Sequence, residues 1–72
     1  MLLTQLPLGE SCQVVDLKAE GIKRRRLLDL GLIPGTEVIG KRRSPSGDPT
    51  AYLIRGTVIA LRSEETSLIE VR

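Results

Sequence analysis

Few side chains in this sequence could carry out catalysis or hold a metal ion. The 72 residues include no histidine and one cysteine, Cys12, which falls in a predicted strand with no general base in view. Iron(II) sites usually combine imidazole with carboxylate, and structural zinc sites take four Cys or His ligands. We therefore expect no catalytic residue, no cofactor and no metal site built by one chain. A site shared between two chains, using Cys12 or carboxylates, is the open alternative.

Basic residues are the other group that could take part in binding, and they occur in two runs, Lys23–Arg26 and Lys41–Arg43. Consecutive residues on a helix point in different directions, so the first run does not make one patch and is predicted to be mostly solvated. Lys41 and Arg43 are expected to share one face of a strand. With Arg55 and Arg62 they would form a basic rim that could meet an acidic partner surface.

Two classes of function are disfavoured by composition. No segment matches the full Gly-x-x-x-x-Gly-Lys-Ser/Thr phosphate loop, so we expect no GTP hydrolysis by this chain. A small nucleic-acid-binding barrel is the alternative function, but such proteins stack bases on aromatic side chains. The chain has one aromatic residue, Tyr52, and a net charge of only +2. No stretch reaches the length of about 18 apolar residues that a membrane-spanning helix needs, so we expect no direct membrane insertion.

Turn residues divide the chain into short elements. Strands are predicted at Ser11–Leu17, Thr36–Arg43, Thr50–Ile54, Thr57–Leu61 and Leu68–Val71, a helix at about Gly21–Leu30, and one helical turn at Ser63–Thr66. Five short strands with turn signals every eight to ten residues, at this length, predict a mainly β fold: one small, closed or half-closed barrel spanning residues 1–72.

The segment that follows the helix is interpreted as structural. Gly31 suits the left-handed position that ends a helix, and Pro34 with Gly35 suits a turn. Core side chains are expected from Leu27, Leu30 and Ile33. On the helix, Ile22, Leu27 and Leu30 share one broad side, whereas Leu28 lies off it. Asp29 is expected to pair weakly with Arg25, and Asp48 to organise the loop at Ser44–Pro49.

The third and fourth strands form a hairpin whose register follows from its turn. If Arg55 and Gly56 are the two turn residues, Ile54 pairs with Thr57 and Leu53 pairs with Val58. Tyr52 then lies on the core face, while Leu53 and Val58 lie on a second face that is also apolar. Either that second face packs under the helix or a loop, or it is an exposed patch that a partner or a second copy of the chain covers.

The order of motifs carries a resemblance. The segments are "RLLDLGLIPGTEV" at Arg26–Val38, "SPSGDP" at Ser44–Pro49 and "IRGTVIALRSEETSLIEV" at Ile54–Val71. Together they resemble the ferrous iron transport protein A (FeoA) family, over roughly Leu6 to Val71. The sequence departs from the family pattern in the hairpin. Thr57 stands where an aromatic residue is frequent, and Leu53 and Val58 stand where polar or basic residues are common.

The resemblance implies an SH3-like barrel with a helix inserted after the first strand. It also implies a cytoplasmic, non-enzymatic accessory protein of bacterial ferrous iron uptake, which its partner, a FeoB-type GTP-dependent permease, recruits to the inner face of the membrane. A homo-oligomer is the other assembly considered, and no nucleic acid partner is expected. From the hairpin register and the charges, the residues predicted to contact the partner are Arg43, Leu53, Arg55, Val58 and Arg62.

Overall fold

The structure, a computed structural model, describes residues 1–72. The strands are β1 (Ser11–Leu17), β2 (Glu37–Arg43), β3 (Thr50–Ile54), β4 (Thr57–Leu61) and β5 (Ile69–Val71), the helices are α1 (Gly21–Asp29) and α2 (Ser63–Thr66), and a 3₁₀ turn covers Leu3–Gln5. All predicted strands and both helical segments are present, with ends that agree to within one residue. The 3₁₀ turn was not predicted.

The five strands form one antiparallel sheet in the order β4-β3-β2-β1-β5. The two outermost strands, β4 and β5, do not pair with each other, so the barrel is half-closed. Helix α1 occupies the connection from β1 to β2, as predicted. None of the helices has the length and apolar character needed to cross a membrane.

One hydrophobic core fills the inside of the curved sheet. Its fourteen buried members are Leu3, Leu6, Cys12, Val14, Leu17, Ala19, Leu27, Leu32, Val38, Tyr52, Ile54, Leu61, Ile69 and Val71. Alternate residues of β1, β2 and β3 supply much of this core, as the period of two along a strand requires. Leu3 begins the 3₁₀ turn and Leu6 follows it, so the N-terminal segment closes the core on one side.

Helix α1 contacts the core differently from the prediction. Leu27 is its one buried residue, and the partly buried Leu28 and Leu30 pack against the core beside it. Ile33 is 41% exposed, so its assignment to the core was wrong, and Ile22, which shares the predicted apolar side of the helix, is 88% exposed. The first turn of α1 has no buried residue, because the helix meets the core only through its C-terminal half. Leu28 therefore lies against the core although it is off the predicted stripe.

A β-bulge in β2 changes the faces of the second basic run. Gly40 pairs with Tyr52, but the next pair is Arg42 with Ala51 rather than Lys41 with Ala51. The extra residue shifts the alternation by one. Arg43 therefore pairs with the buried Thr50, and the prediction that it shares a face with Lys41 was wrong.

The edge of the sheet at β5 is covered by the start of the chain. The backbone N–H of Val71 donates to the carbonyl oxygen of Met1 at 2.7 Å, and Leu2 bridges Glu70. The N-terminal ammonium group also lies 2.9 Å from Oε2 of Glu70. The two ends of the chain therefore lie side by side, and both the N–H and the C=O of Val71 are bonded to Met1.

Candidate protein-binding surface

The β3–β4 hairpin has the predicted register. Ile54 pairs with Thr57 and Leu53 pairs with Val58, with Arg55 and Gly56 in the turn. Both turn residues have positive φ, 51° at Arg55 and 82° at Gly56, as a tight two-residue hairpin turn requires. Tyr52 lies in the core and is 3% exposed. The local sequence alone therefore determined which hairpin residues face outward.

The outer face of the sheet carries an apolar row that crosses three strands. Ile39 of β2 pairs with Leu53 of β3, which pairs with Val58 of β4, and cross-strand partners lie on the same face. We call Ile39, Leu53 and Val58 the outer apolar row. Ile39 and Leu53 are half-buried, and Val58 is 53% exposed. The Ile33–Thr36 segment lies beside Ile39 and Leu53, but Val58 is not covered, so the alternative in which the whole face is packed away was wrong.

A groove adjoins this row at the turn end of the hairpin. It encloses about 500 Å³ and is lined by Ile33, Pro34, Gly35, Thr36, Glu37, Ile39, Leu53, Arg55 and Gly56. We call it the hairpin groove. The Ile-Pro-Gly segment, predicted to be structural, forms one wall. Ile33, which was expected in the core, is exposed there, two residues before Gly35, whose φ of 93° fits the predicted turn.

The five residues predicted to contact a partner fall into two groups. Leu53 and Val58 pair with each other, and Arg55 follows Leu53 by two residues at the turn. Arg43 and Arg62 lie at the other end of the hairpin, roughly 14 Å away at about 3.4 Å per residue. The structure brings the first group together with the hairpin groove and leaves the second apart, so the arginines do not form one continuous rim.

The arginines at the far end of the hairpin have partners within the chain. Nε of Arg43 donates to Oγ1 of Thr50 at 3.4 Å, and Nη1 of Arg62 lies 3.8 Å from Oδ2 of Asp48. Arg55, in contrast, forms no ion pair with any carboxylate of the chain within 4.0 Å. A free guanidinium beside an apolar groove is suited to meet a carboxylate on another molecule.

The first basic run is more structural than its sequence suggested. Nη1 of Arg24 donates to the carbonyl oxygen of Leu17 at 2.8 Å, which ties α1 to the end of β1. Arg26 forms an ion pair with Glu65 of α2. Arg25 lies 3.7 Å from Asp29, as predicted. Lys23 has no carboxylate partner, so only part of the run is free for contact with another molecule.

The Asp48 side chain bonds outside its own loop, whereas it was predicted to organise that loop. Its Oδ1 accepts a hydrogen bond from the backbone N–H of Ser63 at 2.8 Å, at the start of α2. The first N–H groups of a helix have no partner inside it, and a carboxylate is a favourable acceptor there. Asp48 therefore joins the loop at Ser44–Pro49 to α2, a contact fifteen residues away that the turn chemistry alone did not indicate.

Two ionisable side chains, Cys12 and Tyr52, are buried in the core. Burial, followed by the nearby charge of Glu37, raises the pKa of the Cys12 thiol, which leaves it protonated and unreactive at neutral pH. Burial also raises the pKa of Tyr52. No group of three or more His, Cys, Asp or Glu side chains lies close enough together to hold a metal ion.

Comparison with known proteins gives a consistent result. The sequence model of the FeoA domain family matches residues 1–72. The chain is 31% identical over 71 residues to an Fe(2+) transport protein A/Fe(2+) transporter FeoB fusion protein of Porphyromonas gingivalis. That alignment covers 99% of this chain but 8% of the relative, so the chain spans a small part of that protein.

Two solved structures are similar to this chain over its whole length. The FeoA protein of Chlorobium tepidum has a TM-score of 0.92 and 36% identity, with 69% of its chain covered. The zinc-complexed FeoA of Stenotrophomonas maltophilia has a TM-score of 0.89 and 33% identity, with 89% of its chain covered. The latter was described as an SH3 domain protein and suggested to activate bacterial ferrous iron transport. These likenesses agree with the mainly β, SH3-like fold.

Proposed function

The chain belongs to the FeoA family, and from this premise we propose that it is a cytoplasmic accessory protein of ferrous iron uptake that binds a FeoB-type permease. The fusion of the two proteins in one relative supports this partnership, because fused domains act at high local concentration. We assign residues 1–72 to one domain, with no catalytic role. Contact with the permease would hold the protein at the inner face of the membrane.

The observation that carries this proposal is the outer apolar row. Val58, the second residue of the uncharged strand β4, is 53% exposed, and half-buried Ile39 and Leu53 extend the apolar surface into the hairpin groove. Exposed apolar surface rimmed by charge is typical of a protein-binding site. We propose that the row forms the centre of the contact, with Arg55 meeting an acidic group of the permease and Arg43 and Arg62 at the periphery.

A nucleic-acid-binding function has less support. Base stacking contributes about 1–3 kcal/mol per base and needs exposed aromatic rings. Tyr52, the one aromatic residue, is buried in the core. The basic side chains that remain exposed would give only salt-dependent, sequence-independent attraction to phosphates.

The proposal is tested by titrating the purified chain with the cytoplasmic region of the FeoB-type permease, with and without GTP. We expect saturable binding that Leu53→Asp and Val58→Asp each weaken by about tenfold or more, because each would bury an unpaired carboxylate in the contact. Ile22→Asp is the matched control, because Ile22 is 88% exposed on a different element. Equal weakening by all three variants, or no binding to the permease, would contradict the proposal.

Two further measurements separate the alternatives. Single-stranded RNA in place of the permease tests the nucleic acid alternative, which would be favoured by tight, salt-sensitive binding. Sedimentation of the chain alone over a range of concentrations tests the homo-oligomer. A dimer that Val58→Asp dissociates would mean that a second copy covers the outer apolar row, and would count against the permease as its occupant.

A further inference from the structure

One edge of the sheet is covered and the other is not. The N-terminal segment covers β5, through the backbone hydrogen bond from Val71 to Met1 and the β-bridge between Leu2 and Glu70. Strand β4 ends the sheet on the other side and pairs only with β3. An unpaired edge strand exposes a row of hydrogen-bonding groups that another strand can join.

The hairpin register shows which backbone groups are free. Two residues form the turn, so Ile54 and Thr57 make the first hydrogen-bonded pair, and bonded and non-bonded pairs alternate from there. Val58 and Ala60 belong to the non-bonded pairs, so their N–H and C=O groups point away from β3. Neither residue has a backbone hydrogen bond to any loop or turn of the chain. We call this outward side of β4 the open edge.

The open edge has none of the features that usually prevent strand addition. Its sequence, Thr-Val-Ile-Ala-Leu, contains no charge and no proline, and four of its five residues are partly or fully exposed. Natural edge strands are generally protected by charged side chains, proline, bulges or a covering segment. Here one edge of the same sheet is covered and the other is left accessible, which suggests that β4 is kept for pairing with another chain.

A second groove borders the open edge. It encloses about 510 Å³ between α1, α2 and β4, and is lined by Lys23, Arg26, Leu27, Pro49, Ala60, Arg62, Glu64, Glu65 and Leu68. We call it the edge groove. The buried Leu27 and half-buried Leu68 give it an apolar floor, and Arg26 is already paired with Glu65. A strand edge beside a helix is the arrangement in which extended peptides bind by β-augmentation.

Charge decides between the candidate occupants. The open edge lies between Arg55 at the turn and Arg62 at its end. A second copy paired antiparallel about Ile59 would bring Arg62 of one chain next to the Arg55–Gly56 turn of the other, so like charges would meet at both ends. Arg55 and Lys23 have no carboxylate partner in the chain. A segment with acidic ends would instead satisfy these cations.

We propose that the open edge of β4 receives an extended segment of a partner protein, with an apolar centre and carboxylates at its ends, which adds a sixth strand beside the edge groove. The backbone of Val58 and Ala60 would pair with the segment, and Arg55 and Lys23 would meet its acidic groups. This inference deepens the proposed function and rests on it for the source of the segment, the cytoplasmic part of the permease.

The test uses two synthetic peptides, Asp-Asp-Thr-Val-Thr-Val-Thr-Asp-Asp and the same sequence with lysine in place of every aspartate. Amide hydrogen exchange of the full chain is followed by NMR. We expect the Val58 and Ala60 amides to exchange rapidly in the free protein and to become protected when the acidic peptide binds. The lysine peptide should bind with an affinity at least about tenfold lower. No protection of these amides at millimolar acidic peptide, or equal binding of both peptides, would overturn the inference.

A proline substitution tests the backbone contact itself. Ala60→Pro removes an N–H that points outward, so the β3–β4 pairing is retained, whereas Ala60→Ser keeps that N–H. We expect Ala60→Pro to lower the affinity for the acidic peptide by about tenfold and Ala60→Ser to leave it unchanged. NMR spectra should show that both variants are folded. Equal affinities would overturn the inference. Protection in the free protein that rises with protein concentration would also overturn it, in favour of a second copy.

The permease distinguishes this inference from the proposed function. If the wild-type chain binds the permease and Ala60→Pro binds it equally well, the open edge is not the contact, although the proposed function stands. If the acidic peptide protects Val58 and Ala60 but the permease does not bind, the open edge is a peptide site and the proposed partner is wrong.

Discussion

Gly31 lies directly beneath the side chain of Arg55. A Cβ atom added at Gly31 would stand 2.7 Å from Cδ of Arg55 and 3.5 Å from its Cγ. Gly31 has φ 98°, at the end of α1, where an L side chain is also strained. The glycine therefore both ends the helix and provides the space in which the aliphatic part of Arg55 rests, which links the family motif to the hairpin turn.

The first prediction follows from that contact. Gly31→Ala should lower the free energy of unfolding by about 1–2 kcal/mol through its positive φ, and should displace Arg55 and so weaken permease binding. Gly9→Ala is the matched control, because Gly9 has φ 87° but nothing within 4 Å of an added Cβ. Chemical denaturation and binding titration check both effects. Equal loss of binding in the two variants would mean that Arg55 has no part in it.

The second prediction concerns the two faces of the hairpin. Ile54→Ala should lower the free energy of unfolding by about 2–5 kcal/mol, because Ile54 is 1% exposed in the core. Leu53→Ala should cost about 1 kcal/mol, because the side chain is only half-buried. Denaturant titrations of both variants check this. A larger cost for Leu53 than for Ile54 would contradict the assignment of the outer face.

The third prediction separates the two interactions of Asp48. Asp48→Ala should destabilise the protein by about 1 kcal/mol, the typical cost of losing an acceptor at a helix N-terminus. Asp48→Asn should retain most of that stability, because an amide oxygen can still accept from Ser63 while the ion pair with Arg62 is lost. An exposed ion pair at 3.8 Å contributes little. Equal destabilisation by both substitutions in thermal unfolding would show that the ion pair dominates.

The fourth prediction is a loss of stability at alkaline pH. Burial raises the pKa of Cys12 above the ordinary thiol value of 9.0 and that of Tyr52 above the ordinary phenol value of 10.0. As the pH rises, these groups therefore ionise in the unfolded chain before they ionise in the folded one. Their contribution to the free energy of unfolding is complete below about pH 9 and decreases as the pH rises further. Unfolding free energies between pH 7 and 11 check this.

Single variants separate the two groups. Cys12→Ala should remove the part of the decrease that begins near pH 9, and Tyr52→Phe should remove the part that begins about one unit higher. The comparison is between slopes, so any constant cost of either substitution does not affect it. An unchanged pH profile in both variants would mean that other groups cause the decrease.

Local signals made much of the fold predictable. The Arg-Gly turn determined the hairpin register within four residues, and the glycine at position 31 marked the end of α1. The bulge at Lys41 was missed, although Gly40 beside it is the kind of isolated strand glycine that often accompanies a bulge. The position of the extra residue depends on how β2 pairs with β3, which the local sequence does not determine. Ile22 shows the same limit for the helix: its wheel position was right, but only tertiary packing decides which half of α1 reaches the core.

The candidate surface was predictable only in part. The pairing of Leu53 with Val58 followed from the turn, and so did their shared face. Their exposure did not, because it depends on where α1 and the loops pack. The hairpin groove joins Ile33 to Leu53, twenty residues apart, and the open edge exists only because Met1 and Leu2 lie on β5 rather than β4. Such long-range placements leave no periodic signal in a single sequence.

The pairing of Met1 with Val71 has a consequence for how this unit can be connected to other proteins. Because the two ends meet at the covered edge of the sheet, a linker attached to either end would start from the same corner and leave β4 unobstructed. The unit is therefore suited to being tethered to a larger chain in either order, with its free strand still able to reach a target held nearby at high effective concentration.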